Sequence, residues 1–529
     1  MNKFLIYNVL IGSLVAWGGC VQQPHKPKSQ RPPNILFAIA DDQSFPHASA
    51  YGMPLFKTPA FDSVAAHGVL FSNAFVAAPQ CSPSRAAILT GRNIWQLEEA
   101  GTHSSYFPKK FPVFTDALAS AGYVTGYTGK AWGPGNWRDA GWKQNPVGPE
   151  YNNEKYTSLP TSGINPTNYA ANFERFLEEK PDGQPFFFWF GCHEPHRVYE
   201  YGSGLRQGLD SAGMDVLPFL PDHDTIRTDL LDYALEISWF DQHLKKMLDL
   251  LARRGELENT IIVVTADNGM AFPHAKASLH EYGIHVPLAI CGPGVTGQRL
   301  VDAPVSLIDL APTILDWAAA EPLSAIAGKS LIPLLNGNLA DTANRFVLTG
   351  RERHTHARPD NLGYPARAIR TAEYLYIRNL KPDRWPMGDP PPDNPDSGAV
   401  GTGMKPIVLG FEDIDDSPTK ELLLANRYRW PVQYGLATAK QAAEELYAIR
   451  EDPACVANLA ADSHYTDVLA RLRTQLEQLL IEQGDPRMIS GSDVFDSYPR
   501  FGRMRPFPGF REQGAYNPAY QNKEQHDGE

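Results

Sequence analysis

The chain has 529 residues, 43% hydrophobic and 20% charged, which is the composition of a soluble globular protein rather than a disordered one. Because this length exceeds one ordinary hydrophobic core, we expect more than one domain. The 48 Lys and Arg against 60 Asp and Glu give a formal net charge of −12, the wrong sign for a general nucleic-acid-binding protein. Any anion-binding site must therefore be local and built from specific cations.

Residues 1–20 have the features of an export signal: a basic start, an apolar run shorter than a membrane-spanning helix requires, and small residues before Cys20. The stretch "LVAWGGC" resembles a bacterial lipobox, in which Cys20 is lipidated and becomes the mature N-terminus. Plain periplasmic export and an uncleaved anchor are the alternatives. We expect an exported protein of the periplasm or cell envelope, with residues 21–32 as a tether and lipid at Cys20 as its contact with the membrane.

Apolar strands then alternate with helical stretches. Strands are predicted at 34–42, 123–129, 185–193, 260–269 and 286–294, and helices at 114–122, 167–180 and 229–255. This alternation indicates an α/β domain over 33–345, a mostly parallel sheet sandwiched by helices with ligands at the carboxyl ends of the strands.

A smaller subdomain with an antiparallel sheet is predicted over 346–485. Short strands are expected in "RFVLTGRERH" and "RAIRTAEYLYIRNL", and an amphipathic helix over 466–483. Residues 388–403 are a Pro- and Gly-rich loop or insertion, and 486–529 form a tail that wraps the surface or is partly disordered.

Polar groups follow two of the apolar strands. Asp41 and Asp42 end the first, and Asp267 and Asn268 end another. Adjacent carboxylates repel one another unless a cation or a proton neutralises them, and these hard oxygens suit Ca²⁺ or Mg²⁺. Helix caps and Asx-turns are the alternative explanation for either pair alone.

Cationic and imidazole side chains accompany the same strand ends. Cys81 has no obvious disulfide partner, and Arg85 follows it by one helical turn if a helix starts at Ser82-Pro83, where its N-terminus favours an anion. Other basic groups near predicted strand ends are Lys130, His193, His196 and Lys276. Such a combination suggests a metal-assisted anion-transfer site.

The segment "CSPSRAAILTGR" resembles the signature of formylglycine-dependent (type I) sulfatases, Cys-x-Pro-x-Arg followed by Leu-Thr-Gly. Counterparts to "NILFAIADD", "GYTGK", "CHEPH", "TADNG", "LHEYGIHVPL", "VSLIDLAPTILDW" and "ELYAIREDPACVANLA" occur in order, so the resemblance extends over residues 33–480. It implies an alkaline-phosphatase-like α/β domain with a smaller C-terminal antiparallel subdomain.

The resemblance implies that Cys81 is converted to formylglycine (3-oxoalanine) by a formylglycine-generating or anaerobic sulfatase-maturating enzyme. An oxygen of the hydrated aldehyde then attacks sulfur. By the same resemblance, one Ca²⁺ is held by Asp41, Asp42, Asp267 and Asn268 together with the modified Cys81.

The resemblance also assigns the transfer step. Arg85 would steady the hydrate, Lys130 and Lys276 would bind sulfate oxygens, and His193 would protonate the departing sugar oxygen or nitrogen. Family members commonly have a histidine two residues after the lysine that Lys130 matches, whereas "GKAWGPG" has Trp132 there. Our hypothesis is that His103, in "EEAGTH", substitutes for it; a surface histidine is the alternative.

The substrate is expected to be a sulfated saccharide. The sequence resembles heparan N-sulfatase (sulfamidase) in "CHEPHR" and "DNGMAFPHAK", and bacterial polysaccharide sulfatases in the 388–403 insertion and "FEDIDDSPTKELLLANR". We expect an O-sulfatase of the ulvan-active type, with the N-sulfatase as the alternative. Candidates for sugar or carboxylate recognition, each of which could instead belong to a solvated polar loop, are His196, His354, His356, Arg351, Arg353 and Arg367.

Two further classes remain open. Phosphatases, phosphodiesterases and phosphonate hydrolases share the fold, but those with a Thr or Ser nucleophile lack Cys-x-Pro-x-Arg. A sulfoglycan-binding lipoprotein with a decayed site is the non-enzymatic alternative.

Overall fold

The computed structural model describes Met1 and residues 31–338, 342, 345–390 and 410–501. From Pro32 onwards the described residues belong to one compact unit. The predicted export signal with Cys20 and nearly all of the tether lie outside the described residues, as do residues 391–409 and 502–529. The proposed division at 33–345, 346–485 and 486–529 stays a prediction.

The strands are described first. In chain order they are β1 (Asn34–Ala40), β2 (Val69–Phe75), β3 (Val124–Gly129), β4 (Phe186–Gly191), β5 (Thr260–Ala266), β6 (His285–Cys291), β7 (Arg299–Val301), β8 (Val305–Ser306), β9 (Val347–Arg351), β10 (Ala366–Arg370), β11 (Tyr374–Asn379) and β12 (Glu444–Ala448). The α-helices are α1 (Pro59–His67), α2 (Cys81–Thr90), α3 (Phe114–Ser120), α4 (Tyr169–Glu179), α5 (Ser203–Arg206), α6 (Asp224–Arg253), α7 (Glu281–Ile284), α8 (Leu310–Ala318), α9 (Ile332–Leu335), α10 (Pro418–Ala425), α11 (Pro431–Thr438), α12 (Thr466–Glu482) and α13 (Pro486–Ile489).

The larger sheet has the strand order β3-β4-β1-β5-β6-β2-β7, with β8 paired to β2. Its first four strands are parallel, and β6 runs antiparallel to both β5 and β2. The expected mostly parallel sheet with helices is therefore confirmed. Sequence patterning missed β2, because polar Ser72 and Asn73 interrupt its apolar run where the pairing with β6 shifts register.

The centre of this sheet is a dry apolar core. Strands β1, β4 and β5 are buried along their whole length, as continuous apolar strands covered on both faces should be. Phe37 stacks on Trp189 with ring centroids 4.6 Å apart. Burying each such aromatic side chain contributes roughly 1.5–3 kcal/mol, which fixes the register of these strands. Because Ala40 pairs with Ala266, the residues that follow β1 and β5 leave the sheet side by side.

The smaller sheet is antiparallel throughout, in the order β12-β11-β10-β9, as expected for the C-terminal part of the chain. Helix α12 matches its predicted range within one residue and buries Leu472, Leu476 and Leu480 on one face, one turn apart. In the described part of the chain we find no helix that combines the length and the apolar character needed to cross a bilayer.

The residues after α12 fold back onto the rest of the unit. Asp485 accepts a hydrogen bond from Arg367 Nε at 2.7 Å, and Arg487 Nη2 donates to Glu352 at 2.6 Å. At the end of the described chain the Phe501 amide donates to the Ser104 carbonyl. The described part of the expected tail is therefore an ordered part of the unit.

Replacing Arg367 with alanine should destabilise the protein by about 3–5 kcal/mol, because it leaves buried Asp485 without its cation. Urea unfolding followed by circular dichroism measures the change. The control is Arg471→Ala on the exposed face of α12, which should change stability by no more than about 0.5 kcal/mol. Equal losses in the two variants would show that this buried ion pair does not hold the C-terminal segment.

Candidate active site

The paired ends of β1 and β5 bring their polar residues together. The Asp42 amide donates to Asp267 Oδ1 at 3.1 Å, and Asn268 Nδ2 donates to Asp42 Oδ1 at 2.7 Å. Asp42 has φ of 71°, a left-handed conformation that costs a non-glycine residue about 1–3 kcal/mol. The surrounding packing therefore holds Asp42 in a strained position that turns its carboxylate toward Asp267 and Asn268.

Cys81 is the first residue of α2, one residue earlier than predicted. Its Sγ lies 3.2 Å from Asp41 Oδ1 and 3.9 Å from Asp42 Oδ1. One ligand atom from each of Asp41, Asp42, Cys81 and Asp267 lies within 4.8 Å of the others, and all four residues are buried. We call these four residues with Asn268 the acidic cluster. Burial, followed by the charge of Asp41, raises the pKa of the Cys81 thiol well above its usual value, so the unmodified thiol is a weak nucleophile here.

The acidic cluster suits a hard divalent cation. It offers three carboxylates and the Asn268 Oδ1 atom, a buried oxygen that has no hydrogen-bond partner among the described residues. A buried polar atom of this kind is unfavourable unless a ligand satisfies it. Oxygen donors of mixed charge are the set that Ca²⁺ takes, so the residues present fit the cation that the sequence suggested.

Two buried cations bind the carboxylates of Asp41 and Asp267. Lys130 Nζ donates to Asp41 Oδ2 at 2.6 Å, and Arg85 Nε donates to Asp267 Oδ2 at 2.7 Å. Burial by itself would raise the pKa of Asp41, but Lys130, with His196 and Arg85, outweighs it and holds that pKa well below its usual value. Burial and then the charge of Asp41 raise the pKa of Asp267. Arg85 Nη1 also donates to the carbonyls of Lys130 and Ala131, which fixes the backbone of the Lys130 segment.

Lys276 lies on the other side of the cluster, between two carboxylates. Its Nζ is 2.6 Å from Asp42 Oδ2 and 3.4 Å from Asp415 Oδ2. Sequence analysis missed Asp415, which comes from the loop before α10. Nothing local in the "FEDIDDS" stretch predicts a contact with a residue 139 positions away.

Both histidines of "CHEPH" are near the cluster, in different ways. His196 Nε2 lies 3.8 Å from Asp42 Oδ2, and one of its ring nitrogens is within 4.8 Å of ligand atoms of Asp41 and Cys81. Its Nδ1 is 2.6 Å from the Arg197 carbonyl. Burial, then Lys130, lowers the pKa of His193 to about 3, so its ring is neutral at physiological pH.

His103 and His354 form a second layer beside the cluster. Their rings are in edge contact with centroids 4.7 Å apart, and the charges of Lys276 and Lys130 are among the causes that lower the pKa of His103, after burial and His354. His354 Nδ1 lies 3.5 Å from Asp413 Oδ1. Trp132 is buried and its Nε1 donates to the Ser82 carbonyl in the first turn of α2.

The remaining recognition candidates have internal partners. Arg351 binds Asp413, Arg353 donates to the backbone of Tyr498 and Pro499, and Arg367 binds Asp485 and Glu352. His356 is buried, and burial followed by Arg500 lowers its pKa to about 2. The structure does not bring these four side chains to the acidic cluster, so their role in substrate recognition stays a prediction without support from the geometry.

Comparison with known proteins agrees with this geometry. The Sulfatase family model matches residues 33–320. Human N-sulphoglucosamine sulphohydrolase is 28% identical to the chain, with 88% of the chain and 93% of that protein covered. An ulvan-active sulfatase of Formosa agariphila is 24% identical, with 88% and 77% covered.

Solved structures share the fold. A 2-O GAG sulfatase has a TM-score of 0.60 at 21% identity, covering 86% of this chain and 93% of that one. A protein in complex with its substrate D-glucosamine-2-N,6-O-disulfate has a TM-score of 0.61 at 19% identity, covering 87% of this chain and 100% of that one. Since the family model covers more than half of the sequence, the chain belongs to the sulfatase family and is a sulfuric ester hydrolase.

Proposed function

We propose that the protein hydrolyses sulfate esters on saccharides derived from polysaccharides, of the algal type such as ulvan, with Cys81 converted to formylglycine and one Ca²⁺ bound. The observation that carries this proposal is the position of Cys81, at the start of α2 and inside the acidic cluster, with Lys130 and Lys276 bound to different carboxylates. The formylglycine would supply a nucleophilic oxygen at residue 81, and Ca²⁺ would supply a positive charge that neutralises the carboxylates. Asp41, Asp42, Asp267 and Asn268 would hold the cation.

The charge balance of the site favours an anionic substrate. Arg85, Lys130 and Lys276 balance three carboxylates of the cluster, and Asp415 adds a fourth negative charge. A divalent cation therefore turns the net charge of the site positive, which suits a sulfate monoester. Lys130 and Lys276, relieved of part of their attraction to Asp41 and Asp42, can then donate to sulfate oxygens.

The leaving oxygen needs a proton, and we assign its delivery to His196 rather than to His193. His196 has a ring nitrogen within 4.8 Å of Cys81 Sγ, whereas burial lowers the pKa of His193 to about 3, so that ring is a neutral imidazole and a poor acid at neutral pH. Burial of the cluster excludes water from the charges that develop during transfer.

A second candidate function is hydrolysis of N-sulfoglucosamine. It is favoured by the human N-sulphoglucosamine sulphohydrolase, which aligns over 93% of its own length. Nitrogen leaving groups also require a proton, so the same histidine geometry serves either bond. We also propose export and lipid attachment at Cys20, on the strength of the N-terminal sequence.

A first test of the proposed function concerns Cys81 and the substrate. After co-expression with a maturating enzyme, the peptide containing Cys81 should lose one sulfur and two hydrogens and gain one oxygen by mass spectrometry. The purified enzyme should release sulfate from ulvan oligosaccharides faster than from carrageenan or heparin oligosaccharides. Cys81→Ala should abolish release, whereas Cys291→Ser, at a half-buried thiol outside the site, should retain it. An unmodified thiol would contradict the proposal, and preferential release of N-sulfate from heparin oligosaccharides would support the second candidate.

A second test concerns calcium. Added Ca²⁺ should raise the free energy of unfolding by about 2.7 kcal/mol at a concentration 100 times its Kd, because it binds the folded chain alone. Asn268→Ala removes one oxygen ligand and should raise the Ca²⁺ concentration at half-effect about tenfold or more. The control, Asn259→Ala at the opposite end of β5, should leave that midpoint unchanged. If Ca²⁺ raises the free energy of unfolding of the parent and of Asn268→Ala with the same midpoint concentration, the result would argue against a cation at the acidic cluster.

A third test separates the two histidines. His196→Ala should lower kcat about 10²- to 10⁴-fold on saccharide sulfates, because the leaving alcohol is expelled without a proton. On an aryl sulfate with an acidic phenol the loss should be much smaller, since that leaving group needs no acid. His193→Ala should lower both rates by similar factors. A loss that depends on the leaving group in His193→Ala, and not in His196→Ala, would assign the proton to His193 instead.

A further inference from the structure

One surface segment is unlike the rest of this acidic protein. Arg427–Trp430, which we call the RYRW turn, connects α10 to α11. Tyr428 is 86% exposed and both arginines are exposed. The guanidinium of Arg427 lies over the Tyr428 ring at 4.9 Å, and that of Arg429 lies over the Trp430 ring at 4.8 Å.

These two arginines have no carboxylate partner among the described residues. Some other exposed arginines are neutralised locally, for example Arg175 by Glu179 and Arg206 by Glu200. The RYRW turn therefore combines two uncompensated positive charges with two aromatic rings on a chain whose net charge is −12. Exposed arginines stacked on rings remain free to bind an anion with the edge of the guanidinium.

The segment that carries the RYRW turn is anchored to the candidate site at both ends. Before α10, Asp415 lies 3.4 Å from Lys276. In α11, the Leu436 carbonyl is 3.1 Å from Nδ1 of His274, two residues before Lys276 in the chain. The start of α10 and the end of α11 are thus both held by the loop that carries Lys276. The RYRW turn lies at the other end of this helical hairpin.

A third contact ties α10 to the histidine loop. Thr419 Oγ1 donates to Asp229 Oδ2 at 2.5 Å, and the same carboxylate group accepts two hydrogen bonds from Arg197, the neighbour of His196. The eight residues of α10 span about 12 Å and connect this contact to the RYRW turn.

We propose that the RYRW turn is a distal subsite that binds a sulfated polysaccharide chain whose reacting residue occupies the acidic cluster. Tyr428 offers an exposed aromatic ring for a sugar, and Arg427 and Arg429 offer donors for sulfate groups, while half-buried Trp430 packs against His223 and supports Arg429. On a chain with a net charge of −12, two uncompensated arginines beside exposed Tyr428 form a local site that can attract a polyanion. The substrate role of this subsite rests on the proposed function; its binding of sulfated polysaccharide does not.

The test uses the full chain and the double variant Arg427→Ala/Arg429→Ala. Its control, Arg253→Ala/Arg471→Ala, removes two exposed arginines from α6 and α12 and so makes the same change in net charge. Affinity electrophoresis in gels containing ulvan, heparin or chemically desulfated ulvan measures binding. The RYRW double variant should lose affinity for the sulfated polymers about five- to tenfold, and the loss should shrink as salt is raised. Tyr428→Ala should weaken binding of the same polymers.

Kinetics give the second readout. The ratio of kcat/KM for polymeric ulvan to kcat/KM for its smallest sulfated fragment should fall about five- to tenfold in the RYRW double variant and stay constant in the control. Equal effects of the two double variants, or equal affinity for desulfated ulvan, would overturn the proposal. If the parent enzyme releases no sulfate from any saccharide, the proposed function fails while the electrophoresis still decides whether the subsite exists.

Discussion

Mutual repulsion among buried carboxylates is the constraint on which the rest of this structure depends. The register of β1 against β5 delivers Asp41, Asp42, Asp267 and Asn268 to one point beyond the sheet. Carboxylates at such separations destabilise a fold unless each is compensated. The chain compensates them from three directions: α2 supplies Arg85, the end of β3 leads to Lys130, and the loop after β5 supplies Lys276. The cations that neutralise the buried carboxylates, and so stabilise the fold, are therefore the side chains positioned to bind an anion.

The C-terminal part of the chain adds further buried charges beside the cluster and pairs them with cations. Asp415 shares Lys276 with Asp42, and Asp413 holds both His354 and Arg351. Arg367, Glu352, Asp485 and Arg487 form a buried ionic network that ties the smaller sheet to the residues after α12. Removing one partner of such a network leaves the other as a buried uncompensated charge. Substitutions in the C-terminal half, far from the acidic cluster, should therefore lower the free energy of unfolding.

Much of the fold could be predicted from the sequence because its signals are local. Continuous apolar runs identified β1, β3, β4, β5 and β6, and helical periodicity identified α3, α4, α6 and α12. Strand β2 escaped because Ser72 and Asn73 break its pattern, and the antiparallel direction of β6 depends on pairing that no local pattern encodes. The carboxylates and cations of the site were predictable because each follows an apolar strand or the Cys-x-Pro-x-Arg stretch. Asp415 was not, since its contact with Lys276 depends on how the smaller sheet packs. The recognition role suggested for Arg351, Arg353 and Arg367 shows the opposite difficulty: sequence cannot distinguish a solvated arginine from one buried in an ion pair.

The position of Cys81 has a consequence for the order of events during synthesis. The residue is 1% exposed and opens a helix buried along its whole length, so a modifying enzyme cannot reach the thiol in the folded chain. The Ser82 hydroxyl accepts a hydrogen bond from Ser104, whose backbone in turn contacts Phe501, so the surroundings of this helix are complete only when the last described residues have been made. At about 5–20 residues per second, roughly 20–80 s separate the synthesis of Cys81 from that of Phe501. Under the proposed conversion, this interval is the time during which the nascent chain keeps its nucleophile accessible.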